Sequence, residues 1–190
     1  MNIGKRAAMP VSEQTYTAVV LEDPDGRWEL HDGRLLEKPL MSSAHSDVMV
    51  DLGVQLALQL DRSTYRVRIN SSRVNRMEIT YFIPDVMVVP ASIPIRNHED
   101  PNTLEIFHDP VPFVVEIWSP VTGVSDIDLK LPKYQQRGDA EIWRVHPYER
   151  TVSIWLRQLD GQYEFRLLPG GRIELAALPG VWVDLDALLA

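Results

Sequence analysis

The segment FVVEIWSP, residues 113–120, places one acidic side chain inside an apolar run. The run is short and ends at Ser119–Pro120, a pattern that predicts a buried strand. Because an unpaired carboxylate is costly to bury, Glu116 requires a hydrogen-bonding partner, a salt bridge or a bound cation. Any fold of this chain must bring one of these groups into its core, and the sequence leaves the choice open.

The first half of the chain predicts a hairpin followed by a long helix. Residues 27–39 alternate around Asp32–Gly33, a dipeptide that favours a two-residue β-hairpin turn. Residues 42–63 have apolar residues at every even position from 48 to 60, as in a strand. Their polar residues, however, recur every four positions: Asp47, Asp51, Gln55 and Gln59. This spacing, and a serine at 42 or 43 that can cap a helix, favour a helix.

The second half predicts mainly strands. Residues 125–138 predict a short helix closed by Gly138, with Pro132 either in its first turn or at a kink. Residues 90–112 carry five prolines and predict a long loop. The predicted strands are 65–71, 81–90, 111–120, 140–147, 151–158 and 161–168. Together these elements predict an α/β or α+β fold, with a mixed central sheet flanked by helices, an N-terminal β-hairpin and C-terminal β-hairpins.

Length and composition limit the class of protein. A chain of 190 residues predicts one domain over 15–190 after a flexible arm at 1–14. The absence of cysteine excludes disulfides, zinc–thiolate sites and thiol catalysis. No apolar run reaches the length of a signal-peptide core or a membrane helix, so we expect a cytoplasmic protein without a membrane partner. A net charge of −8 disfavours a protein that coats nucleic acid, but it permits an enzyme with a local basic groove.

Two acids and a lysine form the main candidate site. Asp85 follows Pro84 at the head of DVMVV, and Glu116 lies in VVEIW. If these strands are neighbours, the two carboxylates converge and repel each other unless a cation lies between them, and Mg²⁺ suits such oxygen ligands. On the next helix, Lys130 is four residues from Tyr134 and could orient a metal-bound water.

Each of these residues also has a purely structural interpretation. Asp85 after a proline can simply form a turn. Glu116 can pair with an arginine, and Lys130 can be a surface lysine that pairs with Asp126. His45 can be an ordinary residue at a helix start.

Other residue patterns carry less chemistry. The densest basic stretch can contact the phosphates of nucleic acid, or it can consist of solvated charges and ion pairs on an acidic protein. It comprises Arg62, Arg66, Arg68, Arg73 and Arg76. The five tryptophans lie mostly in strand patterns, and we expect them to pack in the core or at an interface rather than to stack on bases. The histidines lack zinc-ligand spacing, and the common nucleotide-binding and serine-hydrolase motifs are missing.

The spaced motifs IPDVMVV, FVVEIWSPVT and EIWRVHP, with D, K, Y and G between the last two, resemble the PD-(D/E)XK nuclease superfamily. More narrowly, the chain resembles the Uma-type family of restriction-endonuclease-like proteins, from WELHDGRLLEKP through GVWVDL. The resemblance implies a restriction-endonuclease-like core. It also implies that Asp85 and Glu116 form a metal-binding pair, assisted by the backbone carbonyl of Ile117.

The resemblance departs from the superfamily at the lysine. That lysine normally follows the acid by two places, where this chain has Trp118. In the Uma-type branch the lysine is displaced to the following helix and corresponds to Lys130, with Lys133 as a less well placed substitute. The family also implies Glu37 and His45 as auxiliary residues of the site.

The function implied is a Mg²⁺-dependent endonuclease that hydrolyses phosphodiester bonds in DNA, with Mn²⁺ as a substitute metal. One alternative is a binding or assembly module that kept the fold and lost turnover, which the net charge and Trp118 favour. Another is an RNA- or nucleotide-directed hydrolase with the same site. Exposed strands and tryptophans near the C-terminal hairpins also predict a homodimer.

Overall fold

The computed structural model describes residues 9–75, 79–93, 100, 103–120 and 123–190, and of residues 123–127 the backbone only. The helices are α1 (Glu13–Glu22), α2 (Ser43–Gln59), α3 (Gly123–Arg137) and α4 (Leu185–Leu188). The strands of the first half are β1 (Trp28–His31), β2 (Arg34–Glu37), β3 (Tyr65–Ile69), β4 (Arg73–Asn75), β5 (Tyr81–Phe82) and β6 (Val86–Pro90). Those of the second half are β7 (Ile106–Phe107), β8 (Phe113–Ile117), β9 (Glu141–His146), β10 (Thr151–Arg157), β11 (Tyr163–Leu168), β12 (Arg172–Glu174) and β13 (Trp182–Asp184).

A mixed six-stranded sheet, in the order β11-β10-β9-β8-β6-β3, forms the centre of the fold. Strands β8 and β9 are parallel and are joined through α3, whereas the other neighbours in this sheet are antiparallel. A second sheet, in the order β2-β1-β5-β4-β7, includes the N-terminal hairpin, and β12 pairs with β13. The predicted class is therefore confirmed: a mixed central sheet with helices, an N-terminal hairpin and C-terminal hairpins.

The central sheet is apolar on both faces because alternate residues of its inner strands enter different clusters. Val86 and Val115 pack with Leu52 of α2 on one face. Met87 and Val114 pack on the other face with Tyr134 of α3 and with Phe82 of the second sheet. The inner strands β6 and β8 are therefore buried on both faces.

Helix α2 confirms the helix predicted for residues 42–63. Its N-cap is Ser42, whose Oγ accepts a hydrogen bond of 3.3 Å from the backbone N–H of His45. Val48, Leu52 and Leu56 are buried against the central sheet, which explains the strong apolar content of the segment. The cap fixes where the helix starts and so fixes where His45 lies.

Two element predictions need correction. The strand predicted for 81–90 is two strands in different sheets, β5 and β6, because Pro84 between them has no N–H for a sheet hydrogen bond. The loop predicted for 90–112 contains β7, which pairs with β4 in parallel. Of the two positions predicted for Pro132, the structure has the one beyond the first turn of α3, where its ring removes one backbone hydrogen bond of the helix.

The N-terminal part of the described chain is attached to the second sheet. Ser12 caps α1, and the N–H of Val11 donates to the carbonyl of Gly33 at 2.8 Å. Helix α1 therefore begins inside the segment predicted as a flexible arm, of which residues 1–8 lie outside the described residues. The division into an arm at 1–14 and one domain at 15–190 stays a prediction. Among the described residues no helix has the length and apolar character needed to cross a membrane.

Candidate active site at the ends of strands β6 and β8

Asp85 and Glu116 lie on neighbouring strands. Strands β6 and β8 are antiparallel with Val86 opposite Val115, so the next pair of the register places Asp85 opposite Glu116. Residues opposite each other in such a pair have Cβ atoms about 4.5–5.5 Å apart. The N–H of Ile117 also donates to Oδ2 of Asp85 at 2.7 Å. The two acids are 1% and 4% exposed, so both are buried at the same end of the sheet.

Two basic side chains contact Asp85. Nζ of Lys38 lies 2.7 Å from Oδ1, and Nε2 of His45 lies 3.0 Å from Oδ2. Burial alone raises the pKa of the Asp85 carboxyl, but Lys38 and His45 outweigh burial and hold this pKa well below its usual range. Asp85 is therefore an ionised carboxylate, and His45, from the first turn of α2, helps to fix its orientation.

Lys38 is a member of this site that sequence reasoning missed. An ammonium group has three N–H donors, and Lys38 directs them to Oδ1 of Asp85 at 2.7 Å, the carbonyl of Ile83 at 2.8 Å and Oδ1 of Asn70 at 3.0 Å. Glu37, which we expected to be the auxiliary residue here, is exposed at the end of β2. The signal that could have found Lys38 is strand alternation, since neighbouring residues of a strand point to opposite faces.

Glu116 is held by helix α3. Nζ of Lys130 lies 3.3 Å from both oxygens of the Glu116 carboxylate, and the hydroxyl of Tyr134 donates to Oε1. Lys130 and Tyr134 are one turn apart on the same face of the helix. Lys130 is fully buried rather than at the surface.

Glu29 is a third buried acid, and it too was missed. Its Oε1 accepts hydrogen bonds from Nζ of Lys130 at 2.9 Å and from the N–H of Ile83 at 2.8 Å, while His31 contacts Oε2 at 2.8 Å. Burial raises the pKa of Glu29, yet the nearby charges, with Lys130 foremost, lower it to about 2. The sequence signal was an acidic residue between two apolar residues, Trp28 and Leu30, of a predicted strand. The same pattern singled out Glu116.

The backbone of one residue, Ile83, connects the two halves of the site. The carbonyl of Ile83 accepts from Lys38 and its N–H donates to Glu29. Among the described side chains, the three carboxylates of Glu29, Asp85 and Glu116 thus face the two ammonium groups of Lys38 and Lys130. We refer to these five residues as the buried charge network.

Comparison with known proteins shows the family of this chain. A model of the Uma2 family, described as "Putative restriction endonuclease", matches residues 13–187. The chain belongs to this family. A solved structure described as a putative nuclease belonging to DUF820 from Anabaena variabilis matches with a TM-score of 0.73 and 18% identity, over 95% of this chain and 98% of that chain. At that identity the likeness concerns the fold alone, and it confirms the predicted restriction-endonuclease-like core. No curated protein matches the chain.

The donor atoms of this Uma2 site suit a Mg²⁺ ion that keeps part of its water shell. An ionised carboxylate has about four lone-pair sites, and Asp85 accepts three of the hydrogen bonds described above, from Lys38, His45 and Ile117. The N–H and C=O of one strand residue point to the same side, so the Ile117 carbonyl faces Asp85 as its N–H does. Among the described residues no group of three or more acids and histidines is arranged to hold a metal. The donors therefore fit one or two carboxylates plus waters, the usual Mg²⁺ arrangement, and not a cage made by protein alone.

Two further candidates, Lys133 and Trp118, make contacts outside the buried charge network. Lys133 contacts Asp32 of the first hairpin at 2.7 Å, so it does not replace Lys130. Side-chain facts for Asp126, the predicted surface partner of Lys130, lie outside the description. Trp118, in the place of the usual lysine, stacks on His146.

The predicted basic stretch is divided by the structure. Arg68 makes two hydrogen bonds of 2.8 Å to Glu105, and Arg73 is buried with its Nε on the hydroxyl of Tyr16. Arg62 is exposed, and Arg66 lies on edge strand β3, beside an open groove of about 510 Å³. Arg76 lies outside the described residues. Contact between these arginines and nucleic acid stays a prediction.

Proposed function

We propose that this Uma2 protein is a Mg²⁺-dependent endonuclease that hydrolyses phosphodiester bonds in DNA, with Mn²⁺ as a substitute metal. The observation that carries the proposal is the buried acid pair, since Asp85 and Glu116 are cross-strand neighbours and each is in contact with a lysine. A buried acid whose pKa is held well below its usual range, as that of Asp85 is, is typical of functional sites. Membership of a family described as restriction endonucleases makes nucleic acid the natural substrate class.

Three groups would hold the ion: the carboxylates of Asp85 and Glu116 and the backbone carbonyl of Ile117. When bound, Mg²⁺ lowers the pKa of a coordinated water and offsets negative charge on the phosphate. His45 would keep the Asp85 carboxylate in a fixed orientation through its 3.0 Å contact. Glu37, at the exposed end of β2, would act only indirectly on this site.

Lys130 would position the attacking water and stabilise charge on the phosphate. Its ammonium nitrogen lies 3.3 Å from both carboxylate oxygens of Glu116. One water could therefore hydrogen-bond to the ammonium group and to this carboxylate together. Glu29 at 2.9 Å and the protein interior around it keep the lysine in place. A fixed positive charge in a water-poor site stabilises developing negative charge more strongly than it would in water.

Cleavage of a supercoiled plasmid by the purified protein tests this proposal. With Mg²⁺ or Mn²⁺ present we expect nicked and linear products, and with a chelator none. Asp85→Asn, Glu116→Gln and Lys130→Met should each lower the rate by about 100-fold or more, as removal of a charge-stabilising group does elsewhere. Lys133→Met is a matched control that should keep the rate. Unchanged cleavage by the first three variants would overturn the assignment.

A specific observation also supports a second candidate, a nuclease-fold module that binds partners without turnover. Both acids are nearly inaccessible, and lysines already supply their counter-charge, so the protein is stable without an ion. Titration calorimetry with Mg²⁺ and Mn²⁺ separates the two candidates: an enzyme must bind the metal, and Asp85→Asn must weaken that binding. A panel of duplex DNA, single strands and RNA tests the further alternative of an RNA- or nucleotide-directed hydrolase. The homodimer and the cytoplasmic location expected from the sequence stay predictions.

A further inference from the structure

Strands β8 and β9 place four side chains in a two-by-two array at the edge of the candidate site. Their parallel register sets Glu116 beside Arg144, and the Trp118 N–H continues the ladder by donating to the Val145 carbonyl at 2.8 Å. Residues two apart in a strand lie on one face, about 6.6 Å apart along it. Trp118 therefore follows Glu116 on the same face, and His146 follows Arg144.

The outer pair of this array is part of an aromatic cluster that reaches solvent. The rings of Trp118 and His146 stack with centroids 4.3 Å apart and planes 21° apart. Tyr148 meets Trp118 edge-on at 5.5 Å and is 55% exposed. The Tyr148 hydroxyl donates to Oγ of Ser42, the N-cap of the helix that carries His45. We call Trp118, His146 and Tyr148 the aromatic triad.

The triad differs from the aromatic residues of the core. Trp143, on the same strand as His146, is fully buried and its Nε1 donates to Glu141. Trp118 is only partly buried, although we expected the tryptophans to serve in packing. Core packing alone does not require a large ring that remains partly in water at this position.

Arg144 adds a positive charge beside the triad. It is partly exposed, and it lines a small cavity with Glu116 and Tyr134. Its Nε is buried and has no hydrogen-bond partner among the residues that the structure describes. The charge of this partly exposed guanidinium group, rather than its buried Nε, would favour a ligand with anionic oxygens nearby.

We propose that the aromatic triad is a subsite for one unpaired nucleobase, next to the phosphate that would bind at the proposed metal site of Asp85 and Glu116, with Arg144 offsetting phosphate charge. The inference rests on the proposed nuclease function and narrows its substrate class. Bases stack on aromatic rings with little regard to sequence, because every base has a π-face. A base inside a duplex cannot reach the triad without leaving its stack, which costs free energy. The substrate is therefore single-stranded nucleic acid, or a duplex with a frayed or extruded base.

Fluorescence titration in the presence of a chelator tests the subsite without cleavage. The probe is a short DNA single strand that carries one 2-aminopurine, whose emission falls when it stacks on an aromatic ring. Trp118→Leu should weaken binding of the strand by about tenfold or more, because the loss of one base–aromatic stack weakens binding by about that factor. It should also remove the quenching. Trp118→Phe should keep most of the binding, and a blunt duplex should bind all three proteins equally weakly.

Trp182 provides a matched control. It is 36% exposed and stacks with Arg172, and its N–H donates to Gln59 at the last turn of α2. Helix α2 has 17 residues, which separates Trp182 from the triad at the first turn by about 25 Å. Trp182→Leu should therefore leave binding of the strand unchanged.

If Trp118→Leu fails to fold, Tyr148→Leu replaces it, since that exposed side chain can be shortened without opening the core. The subsite is refuted if the wild-type protein does not bind the single strand, if Trp118→Leu and Tyr148→Leu bind it normally, or if Trp182→Leu loses binding equally. These results are distinct from failure of the hydrolysis proposal. If binding depends on the triad but no cleavage occurs, the subsite proposal is supported and the hydrolysis proposal is refuted. If cleavage occurs but does not depend on the triad, the hydrolysis proposal is supported and the subsite proposal is refuted.

Discussion

Lys38 illustrates, at the scale of one residue, how strand alternation determines which side chains enter the site. The family resemblance drew attention to Glu37, but that residue is exposed at the end of β2. The next residue, Lys38, is 7% exposed and meets Asp85 at 2.7 Å. The buried acid of the PD motif is thus balanced by a residue that sequence motifs did not single out.

Replacing Lys38 by methionine should destabilise the protein strongly when no metal is present. The change leaves Asp85 buried with a smaller counter-charge, and breaking a buried ion pair in this way costs about 3–5 kcal/mol. Urea unfolding in the presence of a chelator measures the loss. Glu37→Gln, on the exposed neighbour, is the control and should change the stability by about 0.5 kcal/mol or less.

The same variant reports on the metal proposal. If Mg²⁺ binds at Asp85, it should raise the unfolding temperature of Lys38→Met more than that of the wild-type protein, because the ion supplies the lost positive charge. Equal shifts in both proteins would mean that the ion binds elsewhere or not at all.

At the scale of secondary structure, helix α2 shows what local sequence can predict. Polar residues at every fourth position predicted the helix, and the serine cap predicted where it starts. The start determines the position of His45, whose side chain meets Asp85. By contrast, nothing local indicated that Tyr81–Phe82 and Val86–Pro90 pair with different strands, because strand partners are distant in sequence.

Removal of the α2 cap should be measurable. Ser42→Ala leaves the N–H of His45 without its acceptor, and a lost N-cap typically costs about 1 kcal/mol. Ser43→Ala, one residue inside the helix, should change stability by about 0.5 kcal/mol or less. Chemical unfolding of the two variants side by side gives the comparison. If both lose the same stability, the cap is not what holds the start of α2.

For the whole molecule, the buried charge network joins parts of the chain that no local pattern could bring together. Lys130 of α3 contacts Glu116 on the central sheet and Glu29 on the second sheet, and 101 residues separate Lys130 from Glu29. The sequence identified Asp85, Glu116 and Lys130 as a group through the family motifs. Local patterns could mark Glu29 and Lys38 as buried, but not their partners, because those contacts depend on how the two sheets pack.

Stability should fall in acid through this network. The pKa of Glu29 is lowered from 4.5 to about 2 in the folded protein, so its contribution is complete above the higher value and is lost as the pH falls toward the lower one. The pKa of Asp85 is shifted in the same direction. Glu29→Gln should be less stable than the wild-type protein near neutral pH. Between pH 4.5 and about 2 it should lose less stability than the wild-type protein does. Urea unfolding over this range measures the effect, and parallel curves for the two proteins would contradict it.

The backbone of Ile83 gives the molecule a natural reporter. Because its N–H is bonded to Glu29 and its carbonyl to Lys38, the two peptide groups that flank Ile83 respond when either half of the buried charge network rearranges. The nitrogen and carbonyl-carbon resonances of this single residue should therefore shift together when an ion or a nucleic acid strand enters. Nuclear magnetic resonance could detect the binding of an ion or a strand at these atoms without a cleavage assay.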